Sequence, residues 1–61
     1  MAKNITSVSD IKVGDTIKSK INSDLYGIVT AIDSNHIKYK SINTGLEHIV
    51  HLYNITKYEI I

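Results

Sequence analysis

Residues 13–17 read VGDTI, and residues 26–32 read YGIVTAI. In each stretch a glycine precedes a run of β-branched residues, whose stiff side chains favour extended, pleated strands. Glycine adopts positive φ at little cost, so Gly14 and Asp15 predict a turn that leads into the first strand. Gly27 lies inside the second run, where it indicates a bulge or a sharp bend with little room for a side chain. The two stretches together predict strands joined by tight turns.

The rest of the chain continues this pattern, and 21 of the 61 residues are Ile, Val or Thr. Runs separated by polar turn residues predict five strands, at residues 16–21, 25–33, 36–42, 46–52 and 57–61. The clearest turn is at residues 43–45, where Gly45 fits a left-handed position. Residues 53–55 allow one helical turn. No stretch has a helical period, so the sequence predicts an all-β fold, and the short, evenly spaced strands favour a small barrel.

Alternation along these strands predicts which side chains form the core. Periodicity alone does not decide between Ile28 and Val29. We assign Val29 and Ile32 to the core, which requires an irregularity between them. Ile11 and Val13 are expected to anchor the chain before the first strand. The other residues assigned to the core face are Ile17, Ser19, Ile21, Ile37, Tyr39 and Tyr58.

Length and composition limit the possible classes of protein. A chain of 61 residues forms one domain, and without cysteine it has neither disulfides nor a cysteine-based zinc site. We expect residues 1–8 to be a flexible N-terminal segment and residues 9–61 to be the single domain. No apolar run has the length of a membrane span, and the first residues lack the apolar core of a signal peptide. A cytoplasmic protein without membrane contact is expected.

Three segments carry a resemblance to the SH3-like small β-barrel superfamily: residues 12–17, 26–32 and 53–55. The spacing of Gly27, Val29 and Ile32 is similar to the KOW motif of transcription and ribosomal proteins. Residues 13–61 also resemble a short Bacillus-type family of unknown function, through the Val-Gly-Asp opening and the Gly-x-Val second strand. The resemblance implies a five-stranded SH3-like barrel with one short helical turn before the last strand. The enrichment in Ile, Lys, Asn and Tyr is typical of an AT-rich genome, and a low-GC bacterium or one of its phages is therefore the expected source.

Catalysis, metal binding and a cofactor are not expected. A barrel this small uses its inward side chains for its own core and leaves little room for a ligand pocket. The four aspartates fall at predicted turns, where they are expected to bond the backbone. His48 and His51 are three residues apart on a predicted strand and therefore point to opposite faces, so they cannot share one ion. His36 lies beside a turn and is expected to be solvated.

The lysines suggest a nucleic-acid ligand. If the first and third predicted strands lie close together, four lysines form a stripe for phosphate contacts, and two tyrosines flanking loops could stack bases. The net charge is only +1, and this favours the alternative that the lysines are ordinary solubilising surface that also protects strand edges. The candidate nucleic-acid-binding residues are Lys18, Lys20, Lys38, Lys40, Tyr26 and Tyr53.

The sequence thus predicts a non-enzymatic binding or regulatory module, with nucleic acid slightly favoured as the ligand. The alternative is a protein-interaction module, including a phage-type inhibitor of a host protein, that binds through a strand edge or its exposed tyrosines. A partly open barrel offers unpaired backbone groups, so both a monomer and a homodimer are compatible with the pattern.

Overall fold

Six antiparallel strands form one sheet in the computed structural model, which describes residues 2–61. Two short 3₁₀-helices accompany the sheet. The elements in chain order are β1 (Lys3–Asn4), η1 (Val8–Asp10), β2 (Thr16–Ser19), β3 (Tyr26–Ile32), β4 (His36–Ser41), β5 (Glu47–His51), η2 (Leu52–Lys57) and β6 (Tyr58–Ile60). The strand order across the sheet is β1-β6-β2-β3-β4-β5. The all-β prediction is confirmed.

The five-stranded barrel is not confirmed, because the sheet has six strands and does not close. The five strands predicted from the sequence correspond to β2 to β6, and η2 occupies the position of the predicted helical turn. The sixth strand, β1, comes from the N-terminal segment and pairs with β6. The two edges of the sheet are therefore β1 and β5, which do not pair with each other.

From Lys3 onward the N-terminal segment lies against the sheet, although the sequence predicts that residues 1–8 are flexible. Ile5 follows β1 and is only 1% exposed. The Asp10 carboxylate accepts hydrogen bonds from the Thr6 hydroxyl at 2.8 Å, the Thr6 N–H at 3.0 Å and the Ser7 N–H at 3.3 Å. These bonds, with the hydroxyl of Thr6 foremost, lower the pKa of Asp10. Burial of one isoleucine, about 1.5–3 kcal/mol, favours ordering this short segment.

Eight apolar side chains form the core. Five come from alternate positions of β2, β3, β4 and β5, and the other three come from segments outside the strands. The residues are Ile5, Ile11, Ile17, Val29, Ile37, Tyr39, Val50 and Ile55, with Val8, Leu52, Tyr58 and Ile60 packed against them. Six of the predicted inward residues are thereby confirmed: Ile11, Ile17, Val29, Ile37, Tyr39 and Tyr58. Ser19 is buried too, as its position on β2 predicts.

Three predicted core residues are exposed: Val13 by 61%, Ile21 by 77% and Ile32 by 37%. Val13 lies inside a turn in which the Asp15 N–H donates to the Lys12 carbonyl at 3.0 Å, so no strand direction applies to it. β2 ends at Ser19, whose hydroxyl accepts a hydrogen bond from the Ile21 N–H at 3.2 Å. That bond turns the chain away from the sheet before Ile21. The alternation of inward and outward side chains therefore ends at Ser19, not at Ile21 as the sequence pattern indicates.

The irregularity predicted between Val29 and Ile32 is present, whereas the bulge predicted at Gly27 is not. The pairing of β3 with β4 shifts register between Val29 and Ala31, which is a β-bulge. Gly27 itself lies in regular pairing. The bulge brings Ile32 back to the register of Ile37, but at the end of the strand Ile32 stays 37% exposed.

Gly27 marks a close approach of two backbones. A Cβ atom at this position would collide with the carbonyl oxygen of Lys40 and lie 2.9 Å from the Cα atom of Ser41. Glycine is therefore required here by space rather than by an unusual φ. The turn at Gly45, by contrast, has φ +75°, which confirms the predicted left-handed position.

Candidate binding face

The sheet has one face on the core and one face that η1 and η2 leave open, called here the outer face. Its residues alternate with the buried ones and are fixed by the strand register. The outer face carries Thr16 and Lys18 of β2, Tyr26 and Ile28 of β3, Lys38 and Lys40 of β4, Glu47, Ile49 and His51 of β5, and Glu59 of β6.

Three of the four candidate lysines share the outer face. Lys18 lies on β2, while Lys38 and Lys40 lie on β4, and both strands pair with β3. The two strands are therefore about 10 Å apart, with β3 between them. Lys20 is exposed but lies past the end of β2, where its N–H donates to the carbonyl of Lys57 at 2.8 Å. The structure thus groups three lysines across the sheet and leaves Lys20 outside the strand.

Carboxylates accompany two of these lysines. The register places Glu59 directly across from Lys18 and Glu47 directly across from Lys40. Opposite charges at directly opposed positions attract each other and reduce the local positive potential. Sequence reasoning missed these neighbours, because the pairing of strands far apart in the chain is not visible in the sequence.

The two candidate tyrosines do not form a common stacking surface. The Tyr26 hydroxyl donates to Asn43 Oδ1 at 2.9 Å, and its carbonyl accepts the Ile42 N–H, so it lies beside the carboxyl end of β4. Tyr53 is 79% exposed and stacks on His51, with ring centroids 5.4 Å apart, near the amino end of β4. The length of β4 separates the two tyrosines by about 20 Å.

A shallow apolar groove of about 380 Å³ lies on the outer face at the end of the β3–β4 pair. Its floor is formed by Ile28 and Ile42, which are 44% and 53% exposed. Ile49, 58% exposed, lies on the same face of β5, and Lys40 is the charged residue of the lining. The remaining lining residues are Thr30, Ser41 and Gly45. Sequence reasoning missed this groove, although isoleucines at outward positions of two strands were a signal for it.

The histidines are arranged as the strand pattern predicts, on opposite faces. His48 stacks on the buried Tyr39 ring with centroids 5.2 Å apart, while His51 stacks on Tyr53. His51 therefore does not face His48. It lies directly opposite His36 on β4, and this pairing is visible only from the strand register. Within residues 2–61 no group of three or more His, Asp or Glu side chains is placed to hold a metal ion.

The outward edge of β5 has free backbone groups. The Ser41 N–H donates to the Leu46 carbonyl at 2.8 Å, and the Leu52 N–H donates to the Asn35 carbonyl at 3.1 Å. In an antiparallel pair, bonded and non-bonded positions alternate, so every second residue of β5 directs its N–H and C=O away from β4. Among the described residues β5 has no strand partner on this side, although the His51 carbonyl is at the N-cap of η2, where a carbonyl accepts the first bond within the helix. The residues concerned are Glu47, Ile49 and His51.

Comparison of the chain with protein-family models, with curated proteins and with solved structures found no match. In the part of the chain that the structure describes, no helix is long and apolar enough to cross a membrane. The features that point to a function are therefore the groove, the three lysines and the free edge of β5.

Proposed function

We propose that this protein is a non-enzymatic binding module that holds a segment of a protein partner on its outer face. An apolar side chain of the partner occupies the groove over Ile28 and Ile42, and an acidic group of the partner lies against Lys40. The exposed isoleucine floor carries this proposal. Full burial of one apolar side chain of the partner contributes about 1.5–3 kcal/mol to the binding free energy. Covering Ile28 and Ile42 adds a further favourable contribution.

Charge supports a partner with an acidic group. Lys40 borders the groove, and Lys38 lies two residues away on the same face of β4. A carboxylate beside these ammonium groups gains attraction that a neutral or basic segment does not. The resemblance to SH3-like barrels remains a prediction, and it agrees with a binding role without naming a ligand.

Nucleic acid is the second candidate ligand, and one observation favours it: Lys18, Lys38 and Lys40 share the outer face. The adjacent Glu47 and Glu59 and the net charge of +1 weigh against it, since phosphate binding rests on a surplus of positive charge. The chain also has no arginine for bidentate phosphate contacts. Such binding would be weak and sensitive to salt.

Selection from a displayed library of random peptides tests the first proposal. We expect enriched peptides to combine a large apolar residue with a nearby Asp or Glu, and to shift the NMR amide signals of Ile28, Ile42 and Gly45. Ile42→Asp should abolish binding by placing a charge on the groove floor. Ile21→Asp is the matched control, because Ile21 is more exposed and lies outside the groove. Failure to enrich any peptide, or equal binding by both variants, would contradict the proposal.

Titration with single-stranded DNA and RNA oligonucleotides at low and moderate salt tests the second candidate. If nucleic acid is the ligand, the signals of Lys18, Lys38 and Lys40 shift, and the affinity falls steeply with salt. The double variant Lys38→Glu/Lys40→Glu should then lose binding while remaining folded. Binding that the double variant retains would rule out the lysine face as the site.

A further inference from the structure

The two edges of the sheet differ in how they are protected against pairing with another strand. Native sheets shield their edges with short strands, lysine, proline or bulges. β1 is two residues long and contains Lys3. β5 is five residues long, contains neither lysine nor proline, and pairs with β4 without a register shift. β5 is therefore the edge that is open to another strand.

We propose that β5 pairs antiparallel with β5 of a second copy of this chain, so that two sheets join in a two-fold symmetric dimer. The outward N–H and C=O groups of one β5 then bond those of the other, which gives a partner to the groups of Glu47 and Ile49 that have no strand partner among the described residues. The contact is the same on both copies, as a two-fold axis requires. Because each chain supplies both donors and acceptors, β5 is complementary to itself.

Side-chain chemistry selects one register for this pairing. When the two-fold axis passes beside Ile49, the whole strand overlaps and every outward backbone group finds a partner. Glu47 of one copy then lies opposite His51 of the other, so its carboxylate can accept a hydrogen bond from the imidazole. An axis beside Glu47 would instead oppose two carboxylates, and this is unfavourable. The register centred on Ile49 therefore combines the largest overlap with complementary side chains.

The dimer also covers apolar surface. Ile49 is 58% exposed, and in the proposed register it meets its own equivalent on the outer face. A single short strand pair makes a small interface, so we expect the dimer to dissociate on dilution. The groove residues Ile28 and Ile42 are not on β5, and the dimer does not depend on what the groove binds.

Single cysteines test the register directly, because the natural chain contains none. In the proposed register the two Ile49 Cα atoms form a bonded pair about 5.5 Å apart, which suits a disulfide. Ile49→Cys should therefore become disulfide-linked under mild oxidation at least about tenfold faster than the exposed control Ile21→Cys. Glu47→Cys and His51→Cys should cross-link when mixed but not alone, since equivalent residues are about 14 Å apart.

Sedimentation velocity over a range of micromolar to millimolar concentrations measures the association itself. We expect a reversible dimer whose Kd rises about tenfold or more in Ile49→Lys, which opposes two ammonium groups, with an unchanged circular dichroism spectrum. Ile21→Lys should dimerise like the natural chain. A monomer at every concentration, or rapid cross-linking of Glu47→Cys alone, would overturn the proposal. Neither outcome bears on the groove, whose peptide binding is measured separately.

Discussion

Gly27→Ala adds one methyl group at a position where the backbones of β3 and β4 leave no space for it. The new Cβ would collide with the carbonyl oxygen of Lys40, and it would lie 2.6 Å from the carbonyl carbon of Lys40 and 2.9 Å from the Cα atom of Ser41. All three neighbours are backbone atoms, so no side-chain rotation relieves the collision. β3 has to move away from β4 in the middle of the sheet.

The expected cost follows from two opposing effects. Replacing glycine by alanine at an unstrained position normally stabilises a protein by about 0.4–1 kcal/mol, because the unfolded chain loses freedom. Overpacking costs about 1–3 kcal/mol, and fixed backbone neighbours place this site at the upper end. The net loss is about 2 kcal/mol or more. A domain of this size is stabilised by roughly 3–5 kcal/mol, so about half of its stability would be lost.

Urea unfolding followed by far-ultraviolet circular dichroism measures this loss. Gly14→Ala separates collision from backbone strain, because Gly14 has φ +99° and no atom within 4 Å of its virtual Cβ. We expect a lower urea midpoint for Gly27→Ala than for Gly14→Ala. If Gly27→Ala is as stable as the natural chain, β3 and β4 do not approach each other as closely at Gly27 as described above.

Two further variants test the docked N-terminal segment and the buried aromatic core. Ile5→Ala should destabilise the fold by about 2–4 kcal/mol in urea unfolding, because it leaves a cavity in the core. The control Ile21→Ala should change the stability little. Equal losses of stability in the two variants would mean that the N-terminal segment is not docked. Burial, aided by the Tyr58 hydroxyl, raises the pKa of Tyr39 well above its usual value near 10. The folded protein therefore keeps a proton that the unfolded chain releases, so stability is full below pH 10 and falls above it by about 1.4 kcal/mol per pH unit. Between pH 9 and pH 11 the natural chain should lose more stability than Tyr39→Phe, and equal losses would contradict the burial of this hydroxyl.

The sequence predicted those parts of the fold that depend on neighbours in the chain. Alternation over six residues placed Ile37 and Tyr39 in the core, and glycine chemistry placed the turn at Gly45. Alternation failed at Ile21, because a hydroxyl of Ser19 ended the strand early. It also gave no signal for β1, where two polar residues pair with the far end of the chain and one isoleucine supplies the apolar contact.

For the candidate site, too, the sequence predicted only the features that depend on neighbours in the chain. The outward direction of Lys18, Lys38 and Lys40 follows from strand period alone. The carboxylates opposite two of them, and the grouping of Ile28 with Ile42, depend on which strands pair and in which register. Sheet closure is also decided by pairing between distant segments, and for this reason the sequence predicted strands more accurately than it predicted a barrel.

The pairing of β1 with β6 has a consequence for the order of folding. β3, β4 and β5 are joined by short hairpin connections, so their contacts close small loops and carry a low entropic cost. The contact between Lys3 and Ile60 closes a loop that spans nearly the whole chain. Such non-local contacts form late, after the local contacts have offset much of the conformational entropy that the chain loses on folding. We therefore expect the N-terminal strand to dock last during folding and to detach first during unfolding.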